Sequence, residues 1–157
     1  RTPSNIWPPL WGKFLFIASF GGVGAVTRSS AGTLRSTAGT REMLRAAMSE
    51  IQLLARKGVS LADNVVDKSL AFLESMPEDA TASMQRDIME GRPSELESQN
   101  GAVVRLGEIA GVATPVHRFI YHALLPMENE ARRSASASAG IRKGGDRVGA
   151  RHQHQGE

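Results

Sequence analysis

Apolar positions recur every three to four residues along this chain, and nowhere do they alternate with polar ones for long enough to mark a strand. The clearest stripe is Leu44, Ala47, Met48, Ile51, Leu54 and Ala55. It predicts a helix from Thr40 to about Lys57, with Thr40 as its cap and Gly58 just past its end. Val66, Leu70 and Leu73 predict another helix over 63–76, stopped by Pro77. A short one is predicted over 83–90. A stronger one then opens with Ser94 as cap and Glu97 three residues on, the reciprocal capping-box arrangement. Leu96, Asn100, Val103, Leu106 and Ala110 share its face, and Gly111 ends it. Thr114-Pro115 starts a further helix, with threonine as cap and proline at the first helical position. It runs toward Leu125, where Pro126 bends or ends it. The Ser-, Thr- and Gly-rich residues 29–39 read as a turn region with one helical turn around Thr33–Ser36.

The stretch WGKFLFIASFGGVGAV, Trp11 to Val26, admits two readings. As a strand entering a phosphate loop, GGVGAVT nearly matches G-x-G-x-x-G, with Gly22, Gly24 and Thr27 in the three places. The third glycine is missing, and no β partner follows to complete a βαβ unit. As a helix, the small residues Ala18, Gly21, Gly22 and Ala25 let a second helix come close, which compensates for the propensity that glycine costs. The helix is the preferred reading.

The fold class is therefore all-α, with five to seven helices. Residues 1–9, with Pro8 and Pro9, are read as a linker; residues 10–130 as the helical domain; residues 131–157 as a disordered basic tail, low in complexity and rich in Gly, Ser and Ala. Of the 157 residues none is cysteine, which excludes disulfides, thiolate metal sites and a cysteine nucleophile, and fits a reducing, cytoplasmic setting. The pI near 9.8 suggests nucleic acid, but the basic character belongs to the tail. From Ala131 onward there are six cations and two acids, so the first 130 residues carry a net charge of −1. The tail has no aromatic residue to stack on bases, so nucleic acid is not an expected partner. Neither is a membrane, because serine and glycine interrupt the longest apolar run. The opening lacks an initiator methionine and reads as continuing from a longer protein.

A few side chains invite chemistry. Lys13 stands near the start of an apolar helix, where the helix dipole disfavours a cation; it is either solvated or held for a purpose. Ser83 and Glu95 flank helix starts. With Glu97 engaged in the capping box, Glu95 is free to point elsewhere. His117 and His122, five residues apart, share no helix face, and His152 and His154 fall in the tail. No metal site is expected.

The W-x-K-F opening and the segment SMQRDIMEGRPSELESQNGAVVRLGEIAGVATP together resemble the C-terminal domain of the ketopantoate reductase (2-dehydropantoate 2-reductase) family, over roughly residues 11–128. The resemblance implies an all-α domain of the 6-phosphogluconate-dehydrogenase-like type, joined to an N-terminal Rossmann domain that holds NADPH. The reaction implied is reduction of a 2-oxo acid to a 2-hydroxy acid in the cleft between the two domains. It makes Lys13 the catalytic general acid, Ser83 a substrate contact, and Glu95 a cleft residue toward substrate and cofactor; Asp87 and Asn100 become structural. A lysine suits the chemistry: hydride delivery to a ketone builds negative charge on oxygen, which an ammonium stabilises and protonates. Nothing in these residues serves as the Rossmann half, so the chain alone is expected to be inactive.

Two departures from the family pattern matter, one for the substrate and one for the activity. The resemblance places asparagines where this chain has Ile17, Gly21 and Ala80, so the pocket is less polar than a ketopantoate site. The missing Rossmann half leaves room for a second reading, a non-catalytic helical dimerisation module or pseudoenzyme fragment, since the family commonly associates through this domain.

Overall fold

The computed structural model describes residues 6–148. Seven α-helices and one π-helical turn occur among them, and no strand. The helices are α1 (Trp7–Thr27), α2 (Ala31–Ser36), α3 (Ala38–Ala55), α4 (Val65–Ser75), α5 (Ser83–Met89), α6 (Ala102–Ala110) and α7 (Pro115–Val148), with the π-helical turn over Glu97–Gly101.

The spine is α1. It packs most extensively on α3, then on α5 and α7. Leu15, Ala18 and Val23 are fully buried along it, against Leu44, Met48 and Ile51 of α3 and Ile120 and Leu124 of α7 in one continuous core. By length and hydropathy α1 could cross a membrane, but half of that stretch is buried inside the bundle. Close approach explains its glycines. A Cβ on Gly22 would lie 2.5 Å from Asn100 Nδ2 and 2.9 Å from Ile120 Cγ2. The GGVGAVT segment is thus helix from end to end, and its glycines face protein.

The ends differ from the sequence reading. The linker assigned to residues 1–9 is helical from Trp7, because Pro8 and Pro9 occupy the first turn, whose N–H groups lack partners in any case. Residues 1–5 lie outside the described residues. The tail assigned as disordered from residue 131 continues α7 to Val148. Ala131 is still buried, and Arg132 binds both Glu128 and the carbonyl of Ser94. A helix already anchored this way extends without a new nucleation cost, so composition alone misleads. From Arg132 to Lys143 every residue is exposed. Residues 149–157, including His152 and His154, lie outside the described residues. Pro126 sits inside α7 and does not end it.

The caps also differ. Ser94 donates from its backbone N–H and its hydroxyl to the buried Glu128, at 3.0 and 2.6 Å. Glu97 therefore finds no capping-box partner there. It accepts instead from Tyr121 Oη at 2.5 Å and Arg105 at 2.8 Å, which together hold its carboxyl below the usual range. At the start of α7, Glu50 of α3 accepts from the N–H groups of Val116 (2.7 Å) and His117 (3.1 Å), the role expected of Thr114. Thr40 lies within α3, which starts after Thr37, and Gly58 stands beyond its end without a left-handed turn. Gly111 does end α6 as expected, with φ 68°.

Candidate functional site

Lys13 lies in the second turn of α1, since the helix starts at Trp7. The dipole argument therefore weakens, because that field falls off within the first turn. Its side chain is exposed and makes no ion pair among the described residues. Beside it a groove of about 460 Å³ opens between α1 and α4, bordered by Lys13, Phe16 and Ile17 on one side and Val65, Lys68 and Phe72 on the other.

Ser83 and Glu95 do not line that groove. They stand further along α1, beside Gly21. A Cβ on Gly21 would come 3.5 Å from Ala82 Cβ and 3.8 Å from Gln99 Oε1. Ser83, the first residue of α5, follows Ala82 and is exposed. Glu95, also exposed, accepts from Gln99 Nε2 at 2.9 Å. Lys13 and Gly21 are eight residues apart, about 12 Å along the axis. Lys13, Ile17 and Gly21 recur four residues apart, so one side of α1 runs from the lysine to the Ser83–Glu95 end.

Gln99 is the residue that sequence reasoning missed. It is buried, its NH₂ is committed to the Glu95 carboxylate, and so its carbonyl oxygen is the atom left over. That oxygen has no hydrogen-bond partner among the described residues. The π-helical turn places it: Gly101 N–H donates to Leu96 O, five residues back, at 3.0 Å. Such turns recur at functional sites, but nothing in the local sequence announces this one.

Asn100 and Asp87 bind protein. Asn100 Nδ2 donates to Ala18 O and contacts His117 Nδ1, each at 3.1 Å, while His117 Nε2 reaches Ala47 O at 2.9 Å. Nε2 must donate to that carbonyl, so Nδ1 accepts from Asn100 and the ring is neutral. Burial lowers its pKa to about 4. Asp87 grips Arg92 across the turn after α5. No group of three or more potential metal ligands occurs among the described residues.

The G-x-G pair of α1 offers a dinucleotide no phosphate cradle, because the space at Gly22 is filled by Asn100 and Ile120 and that at Gly24 by Gln85. Glu95 is an exposed carboxylate, and its oxygens can accept from a hydroxyl.

Comparison with known proteins identifies the domain. The family described as "Ketopantoate reductase PanE/ApbA C terminal" matches residues 5–128. The chain belongs to that family. A 2-dehydropantoate 2-reductase of Pyrobaculum aerophilum is 26% identical over 82% of this chain and 46% of its own length. The crystal structure of a PanE/ApbA family ketopantoate reductase from Ralstonia eutropha superposes with a TM-score of 0.74 at 28% identity, covering 82% of this chain and 43% of that one. The fold is shared as well with a D-mandelate dehydrogenase solved with NADH and anilino(oxo)acetate: TM-score 0.73, 24% identity, 82% of this chain and 55% of that one. The chain thus spans less than half the length of the Pyrobaculum and Ralstonia ketopantoate reductases it matches.

Proposed function

We propose that this ketopantoate reductase C-terminal domain is the substrate-binding half of an NADPH-dependent 2-oxo acid reductase, and that it works only when joined to a Rossmann domain. The family match over residues 5–128 carries the reading. The dinucleotide, held chiefly by that second domain, supplies the hydride when bound.

The residues of this chain do the rest. Lys13, exposed on α1 with no carboxylate paired to it among the described residues, directs its ammonium at the ketone oxygen, stabilises the charge that builds there and donates the proton. Ser83 gives a hydroxyl to the polar end of the substrate. Glu95, fixed by Gln99, faces substrate and the cofactor's ribose. The reading places the enzyme in the cytoplasm, as a homodimer associating through this half.

Replacing Lys13 with alanine, in the chain joined to its nucleotide-binding domain, should lower kcat by about 10²–10⁴ with 2-oxo acids, the usual contribution of a positioned acid. Helix content by circular dichroism should not change, since Lys13 is exposed. Turnover within about threefold of the parent protein would remove Lys13 from the mechanism.

A further inference from the structure

The groove between α1 and α4 is built unlike a site for a hydroxylated substrate. Its walls are Phe16, Ile17, Val65 and Phe72, and Ser69 brings the one hydroxyl. The Phe16 and Phe72 rings meet edge to face with centroids 5.0 Å apart, and Phe16 stacks on Phe20 at 5.4 Å. Phe16 is thus fixed from behind, while Phe72 stays 56% exposed. An aromatic ring open to water on the wall of a cavity gains when a ligand covers it.

The charge is one-sided. Among the described residues Lys13 and Lys68 border the groove, and no carboxylate does. Asp67, the neighbour of Lys68, is taken by Arg45 at 2.9 Å. Two cations beside a carbon-lined floor complement an anion with an apolar body. Ile17, one turn from Lys13, is an apolar wall that gives a hydroxyl no partner, and an unpaired buried hydroxyl is disfavoured.

We infer that this groove receives the side chain of the substrate and selects 2-oxo acids bearing an aromatic or branched apolar group. The inference rests on the reductase reading above. Phe16, Ile17 and Phe72 set specificity. Lys68 adds its carbon stem to the wall, and its charge at the rim draws in the anion. The groove volume of about 460 Å³ lies within the range of small-molecule sites.

The test is steady-state reduction of phenylpyruvate, ketopantoate and pyruvate by the chain joined to its nucleotide-binding domain. For phenylpyruvate, kcat/KM should exceed that for ketopantoate roughly tenfold or more. Phe72→Ala should cost phenylpyruvate roughly tenfold, mainly through KM, and leave pyruvate, with only a methyl to seat, within about twofold. Because Phe72 is more than half exposed, its truncation spares the core. Ile17→Asn, a second variant, should move preference toward ketopantoate. A parent preference for ketopantoate, or equal losses on phenylpyruvate and pyruvate in Phe72→Ala, overturns the inference and leaves the reductase reading standing. Absence of NADPH- or NADH-linked turnover with all three acids removes the reductase reading and the inference with it.

Discussion

Two residues, Gly22 and His117, show how tightly α1 is held. Alanine at Gly22 would drive its methyl into Asn100 and Ile120. Asn100 cannot retreat without releasing Ala18 O and His117. Gly22→Ala should therefore cost about 1–3 kcal/mol in urea unfolding. Gly39→Ala, with nothing within 4 Å of the added methyl, should be neutral or stabilising by up to about 1 kcal/mol. His117 gives stability a pH dependence. Its folded pKa is about 4 against an ordinary 6.5, so between those values the unfolded chain binds more protons. Its contribution is full above pH 6.5 and is lost as pH falls toward 4, about 3 kcal/mol in all. Glu50, raised by burial against the pull of two backbone N–H groups, works in the opposite direction as pH rises through its range. Urea midpoints from pH 4 to 7 should rise with pH, and His117→Gln should flatten the slope by up to one proton. Nothing local marks His117 in the sequence: its partners lie 17 and 70 residues away.

Among the elements, helices were legible, as was the Gly111 stop of α6, but the N-terminal capping partners Glu97 and Thr114 were not. The 3.6-residue stripe of α3 is a local property of the sequence, and Leu44, Ala47, Met48 and Ile51 are all fully buried. Caps depend on what the fold brings alongside. Glu50 displaces Thr114 at α7, and Glu128 displaces Glu97 at Ser94, in each case from another part of the chain. Glu128 is 1% exposed and takes the Ser94 N–H, the Ser94 hydroxyl and Arg132. Glu128→Ala should cost about 2–4 kcal/mol by thermal or urea unfolding, because it strands those donors. Glu128→Gln, which keeps an acceptor oxygen, should cost less. The shared anchor is also why α7 runs on past the point where its composition turns to Ser and Ala.

Across the whole molecule, the sequence conveyed the all-α class and the family, since both rest on long periodic segments and a dense motif over 83–115. The sequence nominates Lys13, Ser83 and Glu95 one by one, and it carries no information on how the fold lays them out. Lys13 borders one groove, while Ala82, next to Ser83, and Gln99, which holds Glu95, meet at Gly21, a juxtaposition that spacing could not reveal. The helix that presents Lys13 to solvent is the same one that buries Leu15, Ala18 and Val23 at the centre of the domain. The amides of its buried stretch, Leu15 to Ala25, should therefore exchange with solvent only when the domain opens as a unit. Lys13 stands two residues before that stretch, so denaturant should scramble its placement in the same cooperative step that dissolves the fold.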